Sequence, residues 1–194
     1  MEENIIQPPY IDKELPDIKL EAYQAGKEKK VSLSQYRGKW VVLLFYPADF
    51  TFVCPTELED AAKQYSKFQK LGAEVLSVST DTVFVHKAWH DNSEAIGKIK
   101  YPMLADPAGK LCRALGTYIE DEGLSYRATV IVDPKGKIKS YEIHDNSIGR
   151  NVDEIYRKLQ ASKYVSEHKG VVCPVNWKPG NKTLKPSMKL VGKI

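Results

Sequence analysis

VVLLFYPADFTFVCPT, residues 41–56, runs from an apolar strand through a proline into a cysteine that opens a helix. The run from Val41 to Tyr46 is continuously apolar, as expected of a strand buried on both faces. Pro47 cannot donate to a sheet ladder and ends it. Pro55 is a good first residue of a helix, because its missing N–H would have been unpaired there anyway. Leu58, Ala61, Ala62, Tyr65, Phe68 and Leu71 then recur at helical spacing, and Gly72 follows as a C-cap. Residues 75–79, VLSVS, read as a second strand. Strand, helix and strand in that order predict a βαβ unit with a right-handed crossover. Cys54, at the helix start, faces unpaired N–H groups and the positive end of the dipole, which favour the reactive thiolate over the thiol.

On the C-terminal side, Asp81 or Thr82 can cap a further helix reaching about Gly97, and a short helix is expected around residues 109–115. A loop is expected through Glu120-Asp121-Glu122-Gly123. Strands at 128–132 and 138–144 are joined by Asp133-Pro134-Lys135-Gly136, a strong turn signal. Val152, Ile155, Tyr156 and Leu159 mark a last long helix. After Gly170 the periodicity is lost, and Pro174, Pro179 and Pro186 suggest an extended arm. On the N-terminal side, residues 1–17 read as an extended entry, residues 18–33 as small strands or a hairpin about the turn at 24–27, and residues 34–39 as a helical turn or loop. Together these predict an α/β, thioredoxin-like fold: a central mixed sheet flanked by helices, with N-terminal additions and a C-terminal arm. The expected division is a domain over 1–165 and an arm over 166–194. A dithiol oxidoreductase of that fold is disfavoured, since the chain has no C-x-x-C.

Composition narrows the class. With 194 residues, 42% hydrophobic and 28% charged, the chain has the makeup of one globular domain plus a tail. The net charge of +4 comes from 29 basic and 25 acidic residues that are interspersed, so no nucleic-acid stripe stands out. The N-terminus has neither the basic region nor the apolar core of a signal peptide, so a cytoplasmic location is the expectation. Three cysteines, Cys54, Cys112 and Cys173, are too few and too scattered for a stapled scaffold or a paired-ligand zinc site. In a reducing compartment they are either inert core thiols or redox groups. His86 and His90 lie one helical turn apart but bring no third ligand signal, so a packed or exposed helix face is the better reading and no metal is expected.

Residues 47–57, PADFTFVCPTE, resemble the active-site motif of the typical 2-Cys peroxiredoxins, and residues 170–177, GVVCPVNW, resemble the family's second motif. Ser79-Thr80-Asp81, His86-Lys87-Ala88-Trp89-His90, Gly149-Arg150 and the terminal LVGKI extend the likeness over nearly the whole chain, toward its bacterial alkyl hydroperoxide reductase branch. The resemblance implies a thiol peroxidase acting on hydrogen peroxide and alkyl hydroperoxides. Cys54 would be the peroxidatic cysteine, Thr51 and Arg127 its partners in binding and activating peroxide, and Pro47 its shield from water. Glu57 and Arg150 would form a supporting polar network, and Cys173 would be the resolving cysteine, acting on the partner subunit's sulfenic acid. It further implies a homodimer assembled into a ring of five dimers, with residues 81–85 at the dimer–dimer contact. No cofactor is implied, and the electrons would come from a thioredoxin-like protein or a flavin-dependent disulfide reductase.

From the residues alone, peroxide reduction requires an accessible thiolate that attacks one oxygen of the O–O bond. Thr51, three residues before Cys54 in the same tight turn, could hydrogen-bond peroxide and sulfur, and an arginine near the sulfur would stabilise both thiolate and leaving oxygen. A buried core thiol is the competing reading of Cys54, and a packing role is the better reading of Cys112 in its apolar helical setting. Two other activities compete with peroxidase: a holdase chaperone and a disulfide exchange protein.

Overall fold

The structure, a computed structural model, describes residues 8–193. The chain separates into two compact units, Met1–Val152 and Asp153–Ile194. The first unit is built on a seven-stranded sheet. Its strands are β1 (Lys19–Gln24), β2 (Lys27–Ser32), β3 (Trp40–Phe45), β4 (Ala73–Ser79), β5 (Met103–Ala105), β8 (Arg127–Val132) and β9 (Ile138–His144), in the order β2-β1-β5-β4-β3-β8-β9. β6 (Tyr118–Ile119) and β7 (Leu124–Ser125) form a separate small hairpin. The helices are α1 (Cys54–Lys70), α2 (Val83–Asn92) and α3 (Lys110–Ala114).

β3 lies inside the sheet, parallel to β4 on one side and antiparallel to β8 on the other, and every one of its residues is buried. That position explains its unbroken apolar run. Its alternate residues Val41, Leu43 and Phe45 join Leu76, Val78, Ala128, Val130 and Val132 in one core cluster. Strand alternation therefore sends Arg127, Thr129 and Ile131 of β8 to the opposite face. Fully burying such a side chain is worth about 1.5–3 kcal/mol, so burial strongly specifies the place of this strand.

The sheet is mixed and flanked by helices, as the sequence predicts. The β3-α1-β4 unit, the β8–β9 pair and the β1–β2 pair fall where expected. The helix expected to reach Gly97 stops at Asn92, because Ser93 turns extended, and only a 3-10 turn, Ile96–Lys98, follows. β5 and the β6–β7 hairpin, three and two residues per strand, lie in segments where the sequence predicts no strand; runs that short carry no readable period.

In the second unit, α4 (Val152–Glu167) leads into an irregular arm. The arm is held by its own contacts. Val172 and Leu184 exchange backbone hydrogen bonds of 2.9 and 3.0 Å. The Trp177 indole lies 4.8 Å from the Tyr164 ring and donates to the Asn181 carbonyl, while Arg157 donates to the Trp177 carbonyl at 3.1 Å.

Candidate active site

Cys54 is the first residue of α1, with Val53 as its N-cap and Pro55 in second place, one position later than the sequence suggests. The Val53 carbonyl accepts from the N–H groups of Thr56 and Glu57 and closes the first turn. Around this turn a charged cluster is assembled from three segments. Arg127, the first residue of β8, donates from Nη1 to Cys54 Sγ at 3.1 Å and to Glu57 Oε2 at 2.9 Å. Its Nε donates to the Asn146 carbonyl, and its backbone N–H to Asn146 Oδ1. Arg150 grips Glu57 with its backbone N–H and Nε on Oε1, both at 2.8 Å, and with Nη2 on Oε2 at 2.9 Å. Arg127, Glu57 and Arg150 side chains are all buried, at 4%, 4% and 2% exposure.

Two guanidinium ions and one carboxylate leave this cluster with a net positive charge beside the Cys54 sulfur. Burial pushes the Glu57 carboxyl up, but the hydrogen bonds and charge of Arg150 and the charge of Arg127 outweigh it and hold the group below the usual carboxylate range. Glu57 therefore stays ionised and fixes both arginines.

The segment between β3 and α1 forms the other wall. Pro47 is buried directly after β3. Phe50 takes a positive φ of 55°, a conformation that strains a bulky residue by about 1–3 kcal/mol. The Thr51 hydroxyl donates to the Ala48 carbonyl at 2.8 Å rather than to the sulfur, which leaves its oxygen free to accept from a ligand. Below α1, the buried Tyr101 hydroxyl donates to the Leu58 carbonyl at 2.9 Å.

The structure thus brings Cys54, Glu57, Arg127 and Arg150 into one hydrogen-bonded set, with Pro47 and Thr51 on the preceding segment. Where the chemistry read from the sequence asks for an accessible thiolate, Cys54 is fully buried. Cys173 lies in the second unit and is half-buried; burial pushes its thiol up, opposed by the Arg157 charge. Cys112 sits in the core cluster, and burial followed by the Asp106 carboxylate pushes its thiol far up, which suits packing and not reactivity. All three cysteines are free thiols. His86 and His90 each face a backbone carbonyl, of Leu104 and Ile99 respectively. Asn146 and Tyr101 carry no signal in the sequence that marks them for this site. Asp145-Asn146-Ser147 is recognisable as turn chemistry, but nothing in it foretells a grip on Arg127.

A sulfur held under a guanidinium at a helix start on this sheet defines a thiol-dependent redox enzyme of the thioredoxin-like class. The pattern of the AhpC/TSA family matches residues 11–141, and that of the C-terminal domain of 1-Cys peroxiredoxin matches residues 161–193. Alkyl hydroperoxide reductase C of Pseudomonas aeruginosa (strain UCBPP-PA14) is 50% identical over 184 residues, covering 95% of this chain and 98% of the relative. The Salmonella typhimurium protein of that name is 51% identical over the same shares. Among solved structures, Enterococcus faecalis AhpC superposes with a TM-score of 0.83 at 54% identity, over 85% of this chain and 99% of that one. Reduced Plasmodium vivax 2-Cys peroxiredoxin does so with a TM-score of 0.90 at 36% identity, over 94% and 96%. The chain belongs to the AhpC/TSA family of peroxiredoxins, thiol-dependent peroxidases. No helix among the described residues is long and apolar enough to cross a membrane.

Proposed function

We propose that this peroxidase reduces hydrogen peroxide and alkyl hydroperoxides through Cys54 and completes its cycle with Cys173 of a second subunit. The observation that carries the reading is the 3.1 Å hydrogen bond from Arg127 to the Cys54 sulfur inside the buried charged cluster. The thiolate attacks one peroxide oxygen in line with the O–O bond. An S–O bond forms and the O–O bond breaks. The departing oxygen takes a proton and leaves as water or an alcohol, and Cys54 becomes a sulfenic acid. Arg127 stabilises the charge that grows on that oxygen, Thr51 accepts the peroxide O–H, and Pro47 keeps water off the sulfur. Glu57 and Arg150 hold the arginine fork in place.

The Cys173 thiolate then attacks the sulfenic sulfur: the S–S bond forms, the S–O bond breaks, and the expelled oxygen takes a proton and leaves as water. For this Cys54 must leave its buried position, so the first turn of α1 unwinds locally. The relatives' names, alkyl hydroperoxide reductase C and 2-Cys peroxiredoxin, support the substrate class and the two-cysteine cycle. An external dithiol, a thioredoxin-like protein or a flavin-dependent disulfide reductase, returns the electrons. The working unit is a homodimer assembled into a ring of five dimers in the cytoplasm, with residues 1–165 as the peroxidase domain and 166–194 as the arm. Phe84 at 73% exposure gives residues 81–85 the apolar surface that a dimer–dimer contact requires.

Non-reducing electrophoresis after one equivalent of peroxide tests the cycle. The wild-type chain should run as a covalent dimer, and neither Cys54→Ser nor Cys173→Ser should. A wild-type chain that stays monomeric would exclude the mechanism.

The raised Cys173 thiol adds a pH signature. Because burial raises the Cys173 thiol above the ordinary cysteine range near pH 8.5, its thiolate fraction is still rising there, and the disulfide-forming phase should keep accelerating through that range. Stopped-flow traces that separate the two phases would check this, and a resolution rate flat from neutral pH upward would contradict it.

A further inference from the structure

A second buried polar set lies beside the peroxide segment. His86 of α2 places Nδ1 2.7 Å from Asp49 Oδ2 and Nε2 3.1 Å from the Leu104 carbonyl at β5. The other Asp49 oxygen accepts from the Tyr46 hydroxyl at 2.7 Å, at the end of β3. The Asp49 backbone N–H donates to Asp81 Oδ2 at 2.8 Å, and the same oxygen accepts from the Ser79 hydroxyl at the end of β4. The side chains of Asp49 and His86 are wholly buried.

A carbonyl oxygen only accepts, so His86 Nε2 carries a hydrogen. Nδ1 and the carboxylate can bond only if a further proton lies between them, on either atom. The pair therefore retains one proton more than a neutral imidazole and an ionised carboxylate would. The charged groups facing Asp49 are His86 and Asp81, with the Tyr46 phenol beside them. Burial pushes the Asp49 carboxyl up against the opposing effect of His86, and negative Asp81 adds to retention of the proton.

Asp49 stands immediately before strained Phe50 and two residues before Thr51, so its anchors fix the entry to Cys54. We propose that Asp49 and His86 are positioning residues for the oxidation step: their shared proton holds residues 47–53 in register over Cys54, and its loss at alkaline pH releases them. With the proton gone, an imidazole lone pair faces a carboxylate, and the strained segment loses its main tether. This inference rests on the reading of Cys54 as the oxidised residue. If Cys54→Ser still consumes peroxide, that reading fails by itself, whatever the role of the pair.

The test uses Cys173→Ser protein, in which single-turnover oxidation of Cys54 by hydrogen peroxide and alkylation of the same sulfur by a haloacetamide are followed from neutral to alkaline pH. Alkylation requires only the thiolate, whereas peroxide reduction also requires the segment in register. The peroxide rate constant should fall along an alkaline limb by about tenfold or more, since a displacement of about 1 Å can cost about 10²-fold, while alkylation shows no fall. This comparison needs no substitution in the pair. Asp49→Asn supplies a second reading, because its carboxamide accepts from Tyr46 and donates to the bare Nδ1 of a neutral His86, preserving every side-chain bond without the extra proton. That variant should keep the rate and lack the limb. No limb in the parent protein, a limb shared by alkylation, or a limb that persists in Asp49→Asn, as ionisation of peroxide itself would produce, would each overturn the proposal.

Discussion

Arg127→Met should lower the rate constant for oxidation of Cys54 by about two to three orders of magnitude, the usual loss when a donor to developing oxygen charge is removed. Methionine fills a similar volume but carries no donor and no charge. In the structure one Nη1 serves both Cys54 Sγ and Glu57, while Nε is tied to the Asn146 carbonyl. Removing the fork takes away the donor to the sulfur and, in the proposed mechanism, the stabilisation of the leaving oxygen together. Lysine would keep the charge but cannot reach the three acceptors in one plane, so Arg127→Lys should recover only part of the loss. Stopped-flow oxidation in Cys173→Ser protein measures both variants, and a methionine variant as fast as its parent would remove Arg127 from the mechanism.

Glu57→Gln should have the largest effect on stability, about 3–5 kcal/mol, because it removes the carboxylate that two buried guanidinium ions share. An amide also turns N–H donors toward the donors of Arg150, which commits three hydrogen bonds to this carboxylate. Urea unfolding would give the value. The pH dependence follows from the depressed carboxyl. Its stabilising contribution is fully present above the ordinary glutamate value of about 4.3 and is lost as pH falls through the lower folded value. The wild-type advantage over Glu57→Gln should therefore shrink on acidification and stay constant from about pH 6 upward. A difference that persisted unchanged in acid would mean that the charge on Glu57 is not what stabilises the cluster.

Much of the sheet is readable because burial writes itself into the chain at the right period. β3 is buried on both faces and reads as an unbroken apolar run, and α1 shows its buried stripe from Leu58 to Phe68. β5 is hidden because three residues cannot display alternation, and α2 looks too long because Ser93 ends it without a glycine or proline. Cys54 is legible as the candidate reactive cysteine from its local setting at a helix start. Its partners are not readable by local means: Arg127, Glu57 and Arg150 are separated by up to 93 positions, and only the family resemblance points to them before the fold joins them. The chemistry of peroxide attack also suggests an open thiolate and a Thr51 hydroxyl aimed at the sulfur. The closed first turn of α1 buries the one, and the Ala48 carbonyl engages the other. The Asp49–His86 pair leaves no trace in the chain at all, since its meaning lies in two ring nitrogens that both face acceptors.

The hydrogen bond from Tyr101 to the Leu58 carbonyl sets a limit on how far the reactive helix can open. If α1 peeled back beyond Leu58, the buried phenol would lose its acceptor, a penalty of about 1–3 kcal/mol added to the bonds of each further turn. Glu57, clasped by both arginines, resists one step earlier. In the proposed cycle the helix would thus work like a hinged flap with a doorstop: Cys54 and its next two neighbours would swing free, and the rest of α1 would stay seated on the sheet to guide them back.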